Sequence, residues 1–390
     1  MSTFTVELTF GPAQVGMLAE ALSSFRTIIL GNSTVYNKSK TAAWFTALQN
    51  RETTPVNLVV CGHSWWEGYN SMTRGARLPD VIQTTLEGLL PTTGVSSVGG
   101  TTYIPCDYSQ PSTVHTYTAL LGAFAGGTNA GGFGRRYFNF TAIGHGASYT
   151  YTCTGIDVHW YNIGSGGTIR VNIDGGTTPG VTQFDIDTSL GTVNAWSKTA
   201  IPMPSNGSHT IAITCLTVGV GTILFGGMMV YRGNESKGLR IIDASRQGSD
   251  STHNNCGDTQ LKLLNGFTAV AFGIDINDYN AQTAAGTFKT NMAARFAEVY
   301  AQLPATTPIF LFVLNAPNNL GARTPAWSVM EQSNRELSDT NTYVSAIFAS
   351  DYFPTAAVDG GTTLWDTDLL HERPAGATLN GTTFATRLSA

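Results

Sequence analysis

Ser64 stands where an apolar run ends, in Val56-Asn57-Leu58-Val59-Val60-Cys61-Gly62-His63-Ser64, and Trp65-Trp66-Glu67-Gly68 follows it. A serine hydroxyl attacks an ester only when a base takes its proton, a further group orients that base, and donors receive the oxyanion. The histidines stand at 63, 115, 145, 159, 209, 253 and 371. His371 alone follows a carboxylate in a loop late in the chain, Asp366-Thr367-Asp368-Leu369-Leu370-His371-Glu372-Arg373-Pro374. Asp368 precedes it by one turn's spacing, so the carboxylate can be held against the imidazole. Ser64, His371 and Asp368 are therefore the expected nucleophile, base and orienting acid of an acyl-transfer centre. The Gly-x-Ser-x-Gly elbow of α/β-hydrolases is excluded, because Trp66 occupies the second glycine position.

These residues need elements to position them. The run from Val56 reads as a strand buried on both faces, as in a parallel sheet, which places Ser64 at its carboxyl end. The stretches 41–50 and 78–90 have helical spacing, the second stopping at Pro91. Further strands are expected at 239–243, 268–273 and 309–314, and helices at 287–303, over 326–349, and from about Pro374. Alternating strands and helices imply a mostly parallel α/β sheet. Between 94 and 238 the character changes to Gly- and Thr-rich alternation, as in 168–174, 209–215 and 223–231. That pattern suggests several short strands in an all-β sandwich inserted into the α/β domain. The expected division is an N-terminal segment 1–40, a catalytic domain from 41–93 and 239–390, and the insert 94–238. Within the first segment, Leu18 to Phe25 reads as a short helix and Gly31-Asn32-Ser33 as a turn.

The 390 residues are 42% hydrophobic and only 12% charged, with 43 glycines, which suits a globular chain rich in turns. The net charge of −5 lacks the electrostatic footprint of a nucleic-acid binder. No run approaches the length of a membrane span. The N-terminus lacks the basic flank and apolar core of a secretory signal, so synthesis in the cytoplasm is expected. Action outside a cell, for instance in a virus particle, stays compatible with that. The five cysteines, 61, 106, 153, 215 and 256, show no zinc spacing. Cys153 and Cys215 lie in strand-like runs and are potential cross-strand neighbours, but buried thiols are the favoured reading.

Four ordered blocks resemble the SGNH (GDSL-type) hydrolases. Gly62-His63-Ser64-Trp65-Trp66-Glu67-Gly68 is similar to the nucleophile block. Asp243-Ala244-Ser245-Arg246-Gln247-Gly248-Ser249 is similar to the second, with Gly248 as a backbone oxyanion donor. Phe272-Gly273-Ile274-Asp275-Ile276-Asn277-Asp278-Tyr279 is similar to the third, with Asn277 as a side-chain donor, and Asp368-Leu369-Leu370-His371 matches the fourth. The resemblance covers about 40–93 and 239–390. It implies a flavodoxin-like three-layer α/β sandwich with a parallel sheet. It also implies an oxyanion hole from Ser64, Gly248 and Asn277, with no metal or organic cofactor. Two positions depart from the family: His63 stands where Asp is usual, and Asp275 where the third block's glycine would align. His63 is read as structural. Trp65, Trp66 and Tyr69, directly after the nucleophile, are candidate substrate-binding aromatics.

The insert looks similar to carbohydrate-binding modules, and some polysaccharide and peptidoglycan O-acetylesterases of this type carry one. By that analogy the expected activity is hydrolysis of O-acyl, above all O-acetyl, esters on a carbohydrate polymer. The alternatives are a lipase or thioesterase acting on longer acyl chains, and a non-catalytic glycan-binding adhesin on a hydrolase scaffold. The weakly charged, Gly/Thr/Asn-rich composition is compatible with a phage tail enzyme that trims host glycans.

Overall fold

Strand β1 (Val56–Gly62) is buried along its whole length and lies between two parallel neighbours, β11 (Leu239–Asp243) and β12 (Phe267–Gly273). The computed structural model describes residues 35–390 except 70–72, 109–114, 123–124, 128–131, 220–221, 254, 257–258, 318–322, 354–358, 360–362, 367 and 369. The helix and turn expected before residue 34 lie outside the described residues.

Beyond β12 the parallel sheet continues through β13 (Ile309–Val313) to β14 (Val344–Phe348). These strands are mostly apolar because both their faces are covered, and each buried Val, Leu or Ile side chain contributes about 1.5–3 kcal/mol. The chain forms β11 on one side of β1 and then crosses to form β12 on the other. The strand order therefore reverses at β1, and the crevice at its carboxyl end is where open α/β sheets bind ligands.

Helix α1 (Ala42–Gln49) leads into β1, and α2 (Ser64–Glu67) is a single turn directly after it. Helix α3 (Leu78–Leu89) has Pro79 in its first turn, and two short and long helices after β12 are α4 (Asp275–Asn280) and α5 (Ala285–Gln302). Helix α6 (Trp327–Thr340) packs on α5, and α7 (Pro374–Ser389) packs against α3 and α1. A Cβ on Gly381 would meet the Val81 side chain at 2.7 Å, so α3 and α7 approach closely at that glycine. The helix expected over 326–349 ends early. Val344–Phe348 is instead the fully buried edge-side strand β14, a short apolar run whose periodicity alone does not separate helix from strand.

The Gly/Thr-rich region forms an antiparallel continuation of the same sheet. Strand β2 (Tyr103–Pro105) pairs parallel to β11 and antiparallel to β10 (Ile223–Tyr231), so hydrogen bonding runs unbroken from one half to the other. Past β10 the order is β6 (Gly146–Asn162), β9 (Ala195–Thr217), β7 (Thr168–Ile173) and β8 (Gln183–Asp187). The short strands β3 (Ala119–Leu121), β4 (Ala125–Gly127) and β5 (Tyr137–Phe140) pair with β6, β5 and β10 respectively. Two members are far longer than the short strands expected: β6 has 17 residues and β9 has 23, and they pair along most of that length. The β region has its own apolar cluster, including Ile156, Val158, Ile211, Ile213 and Phe225, separate from the α/β core.

Three of the cysteines, Cys106, Cys153 and Cys215, are the buried thiols expected, and two depart from that reading. Cys61, at the end of β1, is disulfide-bonded to Cys256. Cys153 and Cys215 are free and buried, and they are not cross-strand neighbours: Cys153 faces Gly207 and Cys215 faces Ile169. Among the described residues no helix is long and apolar enough to cross a membrane.

Candidate active site

The turn after β1 sets the position of Ser64. His63 caps α2, its Nδ1 accepting the Trp65 N–H at 3.4 Å, and Gly68 ends it with φ 89°, a conformation glycine adopts without strain. The Ser64 carbonyl accepts the N–H groups of Gly68 (3.1 Å) and Tyr69 (3.0 Å), which closes the turn tightly. Ser64 is 7% exposed and lies just past the carboxyl end of β1.

His371 arrives from the loop before α7. Its Nε2 lies 3.0 Å from Ser64 Oγ, and its Nδ1 lies 2.6 Å from Asp368 Oδ2. Asp368 Oδ1 accepts the backbone N–H groups of Leu370 and His371, each at 2.9 Å, which fixes the carboxylate in the turn. Burial pulls the His371 pKa below the usual histidine value, opposed by Asp368. Burial pushes the Asp368 carboxyl up, but the hydrogen bonds from His371 and Leu370 outweigh it and hold the group below its ordinary value. The result is a neutral imidazole between a hydroxyl and an ionised carboxylate. Such a chain can take a proton from the hydroxyl as the oxygen attacks a carbonyl carbon.

His63 behaves differently. It is wholly buried, and burial followed by the nearby His371 drives its pKa down to about 3. A ring neutral near pH 7 is suited to its role as a cap acceptor, the task an Asp side chain would otherwise perform at a helix start.

The loop after β11 is pinned along its length. Arg246 N–H donates to the Gly62 carbonyl at 2.9 Å, Gln247 N–H to Glu67 Oε2 at 2.6 Å, and Cys256 is tied to Cys61. Asp243, buried at the end of β11, accepts from Arg77 at 2.5 Å and from Ser245 N–H at 2.9 Å. Gly248 has φ 74°, and a Cβ there would meet nothing within 4 Å. Asn277 Nδ2 donates to the Ser249 carbonyl at 2.8 Å, which brings the third block onto the second, next to Gly248. Asp278 accepts both Ser251 N–H (2.7 Å) and Ser251 Oγ–H (2.6 Å), locking the same loop from α4. Asp275 is buried, and burial raises its pKa well above the carboxylate range.

The three aromatics after Ser64 part company. Trp65 and Trp66 are 1% and 0% exposed, so the expectation that they offer a substrate face is corrected. Trp65 packs edge-on against Trp365, and Trp66 lies nearly parallel to both Phe312 and Phe384, which are themselves stacked on each other. The turn of α2 points both rings into the core, and Gly62 and Gly273, with no side chains, clear the space that Trp66 fills. Tyr69 is half-buried and lies on the His371 ring itself. The sequence reading overlooked Glu67 and the disulfide; the local sign of each is a carboxylate one turn beyond Ser64 and a cysteine beside Gly62. Among the described residues no group of His, Cys, Asp and Glu has the arrangement of a metal site.

No family model and no curated protein matches the sequence. A solved peptidoglycan O-acetylesterase superposes with a TM-score of 0.59 at 13% identity, covering 90% of this chain and 96% of that one. A family two carbohydrate esterase from Clostridium thermocellum in complex with cellohexaose gives 0.30 at 13% identity, covering 68% of this chain and 96% of that one. A carbohydrate esterase family 2 enzyme with a carbohydrate-binding domain from Corynascus thermopiles (Myceliophthora fergusii) gives 0.32 at 12%, covering 70% and 98%. The first likeness spans nearly all of both chains and shows a shared fold, in accord with the resemblance carried by the four sequence blocks. The other two superpositions are too loose to bear on the site.

Proposed function

We propose that the chain is a serine esterase that removes O-acyl groups, above all O-acetyl, from a carbohydrate polymer. The observation that carries this reading is the chain of contacts from Ser64 Oγ through His371 to Asp368, at 3.0 and 2.6 Å. In the first half-reaction Ser64 Oγ attacks the ester carbonyl carbon and its proton passes to His371 Nε2. The tetrahedral intermediate collapses as His371 returns that proton to the departing sugar hydroxyl, leaving an acyl ester on Ser64. Water, deprotonated by the same nitrogen, then releases the carboxylic acid.

The N–H groups of Ser64 and Gly248 and the amide of Asn277 are assigned to the oxyanion. One Asn277 N–H is spent on the Ser249 carbonyl, which orients the amide and leaves the other for substrate. Tyr69 is assigned to the rim of the crevice, beside the reacting groups. The chemistry described draws on side chains and backbone alone.

The substrate class rests on the fold shared with a peptidoglycan O-acetylesterase and on the β region beside the crevice. The test is a panel of p-nitrophenyl esters from acetate upward, together with acetate release from acetylated polysaccharide. Preference for acetate and release from polymer support the reading. Preference for long acyl chains would replace it with a lipase or thioesterase.

A further inference from the structure

The β half enters the candidate site at one buried point. Arg136, directly before β5, is 5% exposed. Its Nη1 pairs with Glu67 Oε1 at 3.2 Å and donates to the Asp107 carbonyl at 2.9 Å, while Nη2 donates to the Ser245 carbonyl. Glu67 closes the turn that Ser64 begins and is 2% exposed. Its second oxygen accepts the Gln247 N–H at 2.6 Å, and Gln247 directly precedes Gly248. One carboxylate thus joins the nucleophile's own turn to the residue before the assigned oxyanion donor. One arginine from the β half grips both that carboxylate and the start of the loop. The neighbouring residues follow the same line: Gly134 N–H donates to the Asn255 carbonyl at 2.9 Å, and Arg246 Nη1 to the Arg135 carbonyl at 3.2 Å.

We propose that Glu67 is a positioning residue that aims the Gly248 loop at the oxyanion, and that Arg136 is the means by which the β half takes part in catalysis. This rests on the esterase reading above. Oxyanion donors accelerate acyl transfer because they are fixed before charge develops, so a loop that can turn its N–H away forfeits much of the effect. The Glu67–Gln247 bond is charge-assisted and shielded from water, which suits it to that task. Because the interaction acts on the transition state, its loss lowers kcat and leaves KM nearly unchanged.

The experiment is steady-state hydrolysis of p-nitrophenyl acetate by the full chain carrying Glu67→Leu, Glu67→Gln or Arg136→Met. Glu67→Leu removes the acceptor and is expected to lower kcat roughly 10-fold or more, with KM within about threefold. Glu67→Gln keeps an oxygen for the Gln247 N–H and is expected to restore most of kcat. Arg136→Met should lower kcat in the same direction by less. Amide hydrogen exchange on the wild type gives a readout that needs no variant: the Gln247 N–H is expected to be protected. Folded Glu67→Leu or Arg136→Met with wild-type kcat, a loss confined to KM, or a Gln247 amide that exchanges as an open loop does would each overturn the proposal. A wild type that hydrolyses no ester removes the esterase reading and this role together, whereas an active wild type indifferent to Glu67→Leu removes this role alone.

Discussion

Tyr69 lies almost flat on His371, with ring centroids 4.0 Å apart and planes 27° from parallel. The phenol covers one face of an imidazole whose two nitrogens contact Ser64 and Asp368. It therefore restrains the ring and contributes to the burial that depresses its pKa. Tyr69→Ala should lower kcat/KM about 10-fold and move its acid limb to higher pH, whereas Tyr69→Phe should keep both near wild type. An unchanged pH–rate profile in Tyr69→Ala would assign the stack to packing alone.

The pH dependence of the wild type follows from the same ring. In the proposed mechanism the neutral form of His371 is the base, and burial, against the pull of Asp368, places its pKa below the usual histidine value. The sign is that kcat/KM rises with pH through that lowered pKa and is level by neutrality. His63, held neutral with a pKa of about 3, should add no inflection between pH 5 and 8. A profile still climbing above pH 7.5 would show that the imidazole is charged at neutrality, against this account.

Stability should depend on pH through Glu372. Its carboxyl is 1% exposed and burial drives its pKa up to about 8, opposed by the Asn380 hydrogen bond. The folded state holds this proton while the unfolded state releases it near 4.5, so the contribution to stability falls as pH rises from 4.5 to about 8 and is flat above that. Asp275 and Asp278 are also raised and act in the same direction, so the comparison must be with a variant. Urea unfolding of wild type and Glu372→Gln at pH 5 and pH 8 checks this. The variant should gain relative to wild type at the higher pH.

The Cys61–Cys256 bond closes a loop of sequence separation 195 and ties the end of β1 to the loop that carries Gly248. Its loss is expected to remove about 2–5 kcal/mol of stability. Cys106, Cys153 and Cys215 are free, so a reductant should destabilise the wild type but leave a Cys61→Ala, Cys256→Ala double variant unaffected. Equal sensitivity of both to reductant would contradict the assignment.

The parallel strands were legible because burial on both faces favours mostly apolar runs: β13 is wholly apolar, and β1, β11 and β12 are broken only by Asn57, by Arg240 and Asp243, and by Thr268. Asp368 and His371 were legible as a pair because their contact is local, three residues apart. Strand β14 was hidden because Val344–Phe348 adjoins a helix and has no period of its own. Trp65 and Trp66 misled because adjacency to a nucleophile says nothing about which way a helical turn points its rings. The Glu67–Gln247 and Arg136–Ser245 contacts join residues 180 and 109 positions apart, and the disulfide joins still more distant ones. No local pattern encodes such meetings; they follow from the sheet running unbroken between the two halves. That continuity also bears on the role of the β region. If its part in catalysis runs through Arg136, Arg136→Met should lower kcat on small esters and on polymer alike.

The central claim is that Ser64 is an activated nucleophile, and the most direct measurement is its labelling by a fluorophosphonate probe, read alongside acetate release from acetylated polysaccharide. The account predicts a covalent adduct on Ser64, acetate release by the wild type, and loss of both in Ser64→Ala, with turnover lowered on the order of 10³-fold or more. An unlabelled Ser64 in a chain that still binds glycan, or near-normal turnover in Ser64→Ala, would contradict it.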